Sequence, residues 1–122
     1  MPTPEIYQKL TEAIGAHGAW KHKLRVAVHL NDGQDLTAEA SNYHSCAFGR
    51  WLAGLPADVR QSPEAAATIR LHAEFHSTAG KVARKIADGD KAAALEILDG
   101  PLSAASKELT SAATRWKIAA TR

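Results

Sequence analysis

Apolar residues recur along the chain at intervals of three and four, the spacing of one helix face. Between residues 4 and 30 the stripe is Ile6, Leu10, Ile14, His17, Lys21, Leu24 and Val28. Thr3 is placed to cap this first helix with Pro4 at its first position, and the polar run NDGQD at 31–35 ends it. The segment 36–45, LTAEASNYHS, is weakly patterned and reads as a helical turn followed by a loop. A short helix is expected from close to Cys46 to Ala53, stopped by Gly54 and Pro56, with a further turn over 57–62. Ser62 before Pro63 and Glu64 is an N-cap signature, and it predicts a second long helix to Ala87 with the stripe Ile69, His72, His76, Ala79, Ala83 and Ile86. Asp88-Gly89-Asp90 closes that helix and leaves Asp90 to cap the next. Leu95, Leu98, Leu102, Ala105, Leu109, Ala112 and Trp116 then keep heptad spacing, although Gly100-Pro101 is expected to break or kink the run. No stretch alternates as a strand would. The fold class expected is all-α: an up-and-down four-helix bundle with an additional short helix that carries the cysteine, formed as a single domain over residues 1–122.

The stripes contain an anomaly. His17, His72 and His76 stand where Leu or Ile belongs, and a buried imidazole without partners is costly. His72 and His76 are four residues apart, which turns both rings to one side of a helix, about 40° from each other by the helical period. Two nitrogens so placed can bind one cation. His17 faces the same core from the first helix, where Trp20, three residues on, can wall the site off from water.

Cys46 is the one cysteine in the chain. Alone it could be a small buried hydrophobe, a nucleophile or a ligand. Zinc takes imidazole nitrogen and thiolate sulfur in a tetrahedron, and three histidines with one cysteine supply four such ligands. Each residue also has a plainer reading: His17 as a core histidine bonded to a backbone carbonyl, the His72/His76 pair as a coincidence among six histidines. Jointly, with all three histidines on core stripes and the cysteine beside a tight turn, they favour zinc bound by His17, Cys46, His72 and His76. The N-terminus of the short helix favours the thiolate, Gly49 lets the chain pass close to the long helices, and Phe48 and Trp51 anchor it to the core. His44 can replace a ligand or, more in keeping with its distance of two residues from Cys46, hydrogen-bond to one. His22 and His29 fall away from the His17 direction and are expected at the surface or at a subunit contact. Iron is disfavoured because no Glu or Asp holds a comparable core position, and C-x-x-C-H haem attachment is excluded by the cysteine count.

Charge and composition narrow the field. A single cysteine forms no internal disulfide, so nothing calls for an oxidising compartment. The opening MPTPEIYQKL lacks a signal-peptide layout, and no apolar run is long enough for a bilayer; a cytoplasmic protein without membrane insertion is expected. The net charge is +2, with Lys and Arg scattered among 13 acidic residues, and no phosphate-binding loop is present. Nucleic acid is not an expected partner.

The pattern His17-x-x-Trp20, Cys46-x-Phe48-Gly49-x-Trp51 and His72-x-x-x-His76 resembles the bacterial chemoreceptor zinc-binding (CZB) domain family over nearly the whole chain. The stretch NYHSCAFGRW at 42–51 is similar to the domain preceding zinc-regulated diguanylate cyclases. The resemblance implies a non-enzymatic sensory domain that holds zinc through the matching three histidines and cysteine, forms a homodimer and responds to zinc or to hypochlorous acid. It implies as partner a chemoreceptor or a diguanylate cyclase making cyclic di-GMP. No signalling hairpin or cyclase motif follows Trp116, so the partner is expected in trans or as a missing fused domain; Met1 and the N-terminal cap read as a native start, the final KIAATR as a helix that continues. The competing expectation is a structural, zinc-stabilised dimerisation module. A zinc hydrolase would need an open coordination position, which four protein ligands do not leave.

Overall fold

The structure is a computed structural model and describes residues 3–30, 35–42 and 46–121. Two long helices form where the stripes predict them, α1 over Thr3–Leu30 and α5 over Pro63–Ala87. Three short helices lie between them in the chain: α2 (Thr37–Ser41), α3 (Ala47–Ala53) and α4 (Ala57–Arg60). After α5 come α6 (Lys91–Ile97), a five-residue π turn (Leu98–Leu102) and α7 (Ser103–Ala120). No strand occurs among the described residues. The chain folds as an all-α helical bundle with a short helix carrying the cysteine. Its long members are α1, α5 and the run from α6 to α7, while α2 packs along α5 and closes a further side.

Local sequence sets the ends of these elements. The Ser62 hydroxyl accepts the Ala65 N–H at 3.3 Å and Pro63 opens α5, so a donor left over in the first turn is satisfied and the fixed proline φ already suits a helix. Asp90 does the same for α6 through the Ala93 N–H at 3.1 Å, and Gly89 between the helices takes φ 78°, a left-handed conformation that glycine adopts freely. α1 includes Thr3 itself and ends at Leu30, directly before the polar run, whose residues 31–34 lie outside the described set.

Gly100-Pro101 does not break the last run. Pro101 has no N–H to offer, and its ring would clash with the carbonyl four residues back in a regular helix; widening one turn to π geometry relieves the clash and lets the helix continue. The Ser103 hydroxyl bonds to the Leu98 carbonyl at 3.0 Å across that turn. Leu98 and Leu102 are completely buried on either side of it, each contributing roughly 1.5–3 kcal/mol by the area it withdraws from water.

The apolar side chains gather into two clusters. One joins Leu24 and Val28 of α1, Leu36 and Ala40 at α2, Leu71, Phe75 and Val82 of α5, and Leu98, Leu102 and Leu109. The other joins Ile6, Leu10 and Ala13 of α1 with Phe48 and Leu52 of α3, Ala65 of α5 and Trp116 of α7. On α1, His17 falls between Ala13 of one cluster and Leu24 of the other. Trp116, the last residue of the heptad stripe, is core.

Candidate metal centre

Three helices deliver the four side chains. His17 comes from the middle of α1, His72 and His76 from successive turns of α5, and Cys46 from the residue that caps α3. All three histidines are buried, at 4%, 1% and 1% exposure, and Cys46 is half-buried. One nitrogen from each ring and the sulfur lie within 4.8 Å of one another. The three imidazoles stand edge to face, with centroids 4.7 to 5.3 Å apart.

Hydrogen bonds define which nitrogen of two rings looks inward. His17 Nδ1 lies 2.6 Å from the Ala13 carbonyl and His76 Nδ1 lies 2.8 Å from the Ala40 carbonyl. A carbonyl only accepts, so each Nδ1 carries the proton and each Nε2 keeps its lone pair for another group. His17 Nε2 is 4.0 Å from Cys46 Sγ. His76 Nε2 is buried and makes no hydrogen bond among the described residues.

The charge arrangement suits a thiolate among neutral imidazoles. Burial pushes the Cys46 thiol up, but the polar surroundings supplied by His17, His72 and His76 and by the Gly49 backbone outweigh it and bring the pKa down to about 3. Burial pushes the His72 pKa down, against the opposing pull of the Cys46 thiolate. An anionic sulfur beside neutral nitrogens is the donor set of a borderline-soft divalent cation. In a regular tetrahedron with ordinary zinc bond lengths, nitrogen and sulfur ligands stand about 3.6 Å apart, so a small contraction of the observed arrangement accommodates the ion. The residues fit zinc.

Aromatic rings surround this polar group. Phe48 meets His17 and His72 edge-on at 5.8 and 5.1 Å, Phe75 meets His17 and His76 at 5.0 and 5.6 Å, and Phe48 stacks on Trp51, which contacts Trp116. Trp20 lies beside the site. It borders a cavity of about 420 Å³ together with Glu12, Glu39 and Asn42, and His17, Cys46 and His76 form part of the same wall. Lys23 lies over the Trp20 ring at 4.8 Å and pairs with Glu39 at 3.5 Å at its margin.

A family model described as the chemoreceptor zinc-binding domain matches residues 17–83. The chain belongs to that family. The matched span starts at His17 and runs past His76, so it contains the whole four-residue cluster, and zinc is the cofactor of this CZB domain. No curated protein and no solved structure matches the chain.

The structure of the CZB domain brings together all four residues singled out in its sequence and leaves His22 and His29 exposed. His44 lies outside the described residues. Two contributors went unforeseen. Phe75 borders two of the imidazoles, and its place one residue before His76 on a buried face was a readable signal. The Ala40 carbonyl, which orients His76, had none, because every residue carries a carbonyl.

Proposed function

We propose that this chain is a cytoplasmic zinc-binding sensory domain, one domain throughout, whose zinc ligands are His17 Nε2, Cys46 Sγ, His72 and His76 Nε2. The convergence of four ligand atoms from three helices to within 4.8 Å carries the reading. When bound, zinc supplies a divalent charge that holds α1, α3 and α5 to one point. Four protein ligands leave no position for a substrate, so the role is regulatory rather than catalytic. No helix among the described residues is long and apolar enough to cross a membrane.

The chain's own residues supply the means of response. The Ala13 and Ala40 carbonyls keep the protons on the outer nitrogens of His17 and His76, and α3 presents a thiolate. Cys46 is the ligand with redox chemistry, and the cavity beside it supports access by a small oxidant. Hypochlorous acid would transfer its oxygen to the thiolate, giving a sulfenic acid and chloride. The anionic ligand is thereby lost and α3 is released from the two long helices, a change a chemotaxis or cyclic di-GMP partner could read. A homodimer belongs to the same reading. Leu98, Leu102, Leu109 and Trp116 are used up inside the chain, and among the described residues the large apolar side chains left exposed for a second copy are Tyr7, Val26 and Leu30 on α1 with Ile118 on α7.

Metal analysis of the purified chain should return one zinc per chain, and the cobalt-substituted protein should show a thiolate-to-cobalt band that disappears in Cys46→Ser. Sharing about 10–16 kcal/mol of zinc binding among four ligands gives each roughly 3 kcal/mol, so Cys46→Ser and His72→Ala should each weaken zinc by about a hundredfold. Unchanged affinity in either variant would remove that residue from the ligand set. Hypochlorous acid should release zinc from the parent; retention of zinc through oxidation would leave a structural zinc module as the better account.

A further inference from the structure

We infer that Gly80 is a positioning residue for the zinc centre, letting α2 lie close enough to α5 for the Ala40 carbonyl to hold His76 Nδ1–H and aim Nε2 at the metal. The inference rests on His76 being a ligand, as proposed above.

Ala40 is the penultimate residue of α2, and the carbonyls of a helix's last turn have no partner within the helix. That of Ala40 takes the His76 Nδ1–H at 2.8 Å, joining residues 36 apart in the chain. α2 has only five residues, and although the Asp35 carboxylate accepts the Thr37 N–H at 2.9 Å, so short a helix relies on packing to hold it in place. Ala40 and Leu36 supply that packing, both sunk into the cluster around Phe75 and Val82.

The distance between α2 and α5 is set at Gly80, one turn beyond His76 on the same helix. A Cβ at Gly80 would lie 2.6 Å from Ser41 Cβ and 3.2 Å from Ser41 Cα. Neither atom is the far end of a flexible side chain, and the Ser41 hydroxyl is tied to the Thr37 carbonyl at 2.7 Å. Any side chain at 80 therefore lifts α2 at the residue adjoining the Ala40 carbonyl. Glycine is a poor helix former, and a Cβ at Gly15 or Gly18 of α1 would meet nothing within 4 Å. At Gly80 the space is taken, and what takes it carries the bond that orients a ligand. Loss of such an orienting bond lowers metal affinity by about 10- to 100-fold.

The test compares zinc affinity, by competition with a chromophoric chelator, in the full chain and in Gly80→Ala, Gly80→Ala/Ser41→Gly and His76→Ala. It is run where circular dichroism shows each metal-free protein folded. Gly80→Ala should bind about 10- to 100-fold more weakly and alter the cobalt spectrum, and the imidazole N–H correlation of His76 should lose its hydrogen-bonded position. The double variant, with the obstructing Cβ of Ser41 removed, should recover most of the affinity and that resonance. Affinity in Gly80→Ala within about threefold of the parent, failure of the double variant to recover, or a Gly80→Ala chain that does not fold without metal would each overturn the inference. If His76→Ala binds zinc as the parent does, the ligand assignment itself fails; if it is weakened while Gly80→Ala is not, only the positioning role fails.

Discussion

His72 and His76 reach the centre from within a 25-residue helix, whereas Cys46 reaches it from the cap of a seven-residue one. On α5 the two rings are flanked by Thr68, Leu71, Phe75, Ala79 and Val82, all buried, and the helical period fixes their relative direction before any metal arrives. Cys46 is half-buried and depends on Phe48 and Leu52 to seat its helix in the apolar cluster. Half of the four-residue cluster is therefore built into the bundle, and the cysteine is docked onto it. In the reading proposed above, the α5 pair is the fixed side of the centre and Cys46 the movable one, and the movable side carries the group whose chemistry can change.

The largest test of that division removes the docking residue. Phe48→Ala should lower the stability of the metal-free protein by about 3 kcal/mol, the range for a buried phenylalanine whose neighbours cannot fully close the gap, read by urea unfolding. Zinc affinity should fall with it, since α3 would no longer hold the sulfur in place. A loss below about 1 kcal/mol would mean that α3 is seated by something else, and the comparison would need redrawing.

A smaller effect should follow removal of zinc from the parent protein. Hydrogen exchange after chelation should speed up about tenfold or more at amides 47–54, equivalent to about 1.4 kcal/mol of lost protection, with little change over 65–83. Equal changes on both sides would show that α5 needs the metal as much as α3 does.

The smallest effect concerns the fixed side. Ser62→Ala removes the cap of α5 and should cost about 1 kcal/mol in thermal or urea unfolding while zinc affinity stays at the parent value. A parallel fall in affinity would indicate that the ligand pair senses the end of its helix and is less rigid than its burial implies.

Much of this protein was determined locally, within a few residues of sequence. The spacing of His72 and His76 places both on one side of a helix whatever the rest of the chain does, and Ser62, Asp90 and the glycine at 89 mark helix boundaries by chemistry that acts over three or four residues. That a short helix starts close to Cys46 was legible for the same reason, and the structure makes Cys46 its cap. Other features arise only when distant segments meet. The proline at 101 announced an interruption, but whether the chain would break, kink or widen by one turn depended on the burial of Leu98 and Leu102, which rewards keeping the helix continuous. Trp20 was placed by its spacing near His17, but that the two would line one cavity with Glu39, Asn42 and Cys46 depended on how α1, α2 and α3 pack. The bond from His76 to Ala40 and the contact of Gly80 with Ser41 are the clearest cases. A backbone carbonyl has no signature in an amino-acid sequence, and a missing side chain shows its purpose only once the helix that occupies its space has been brought alongside.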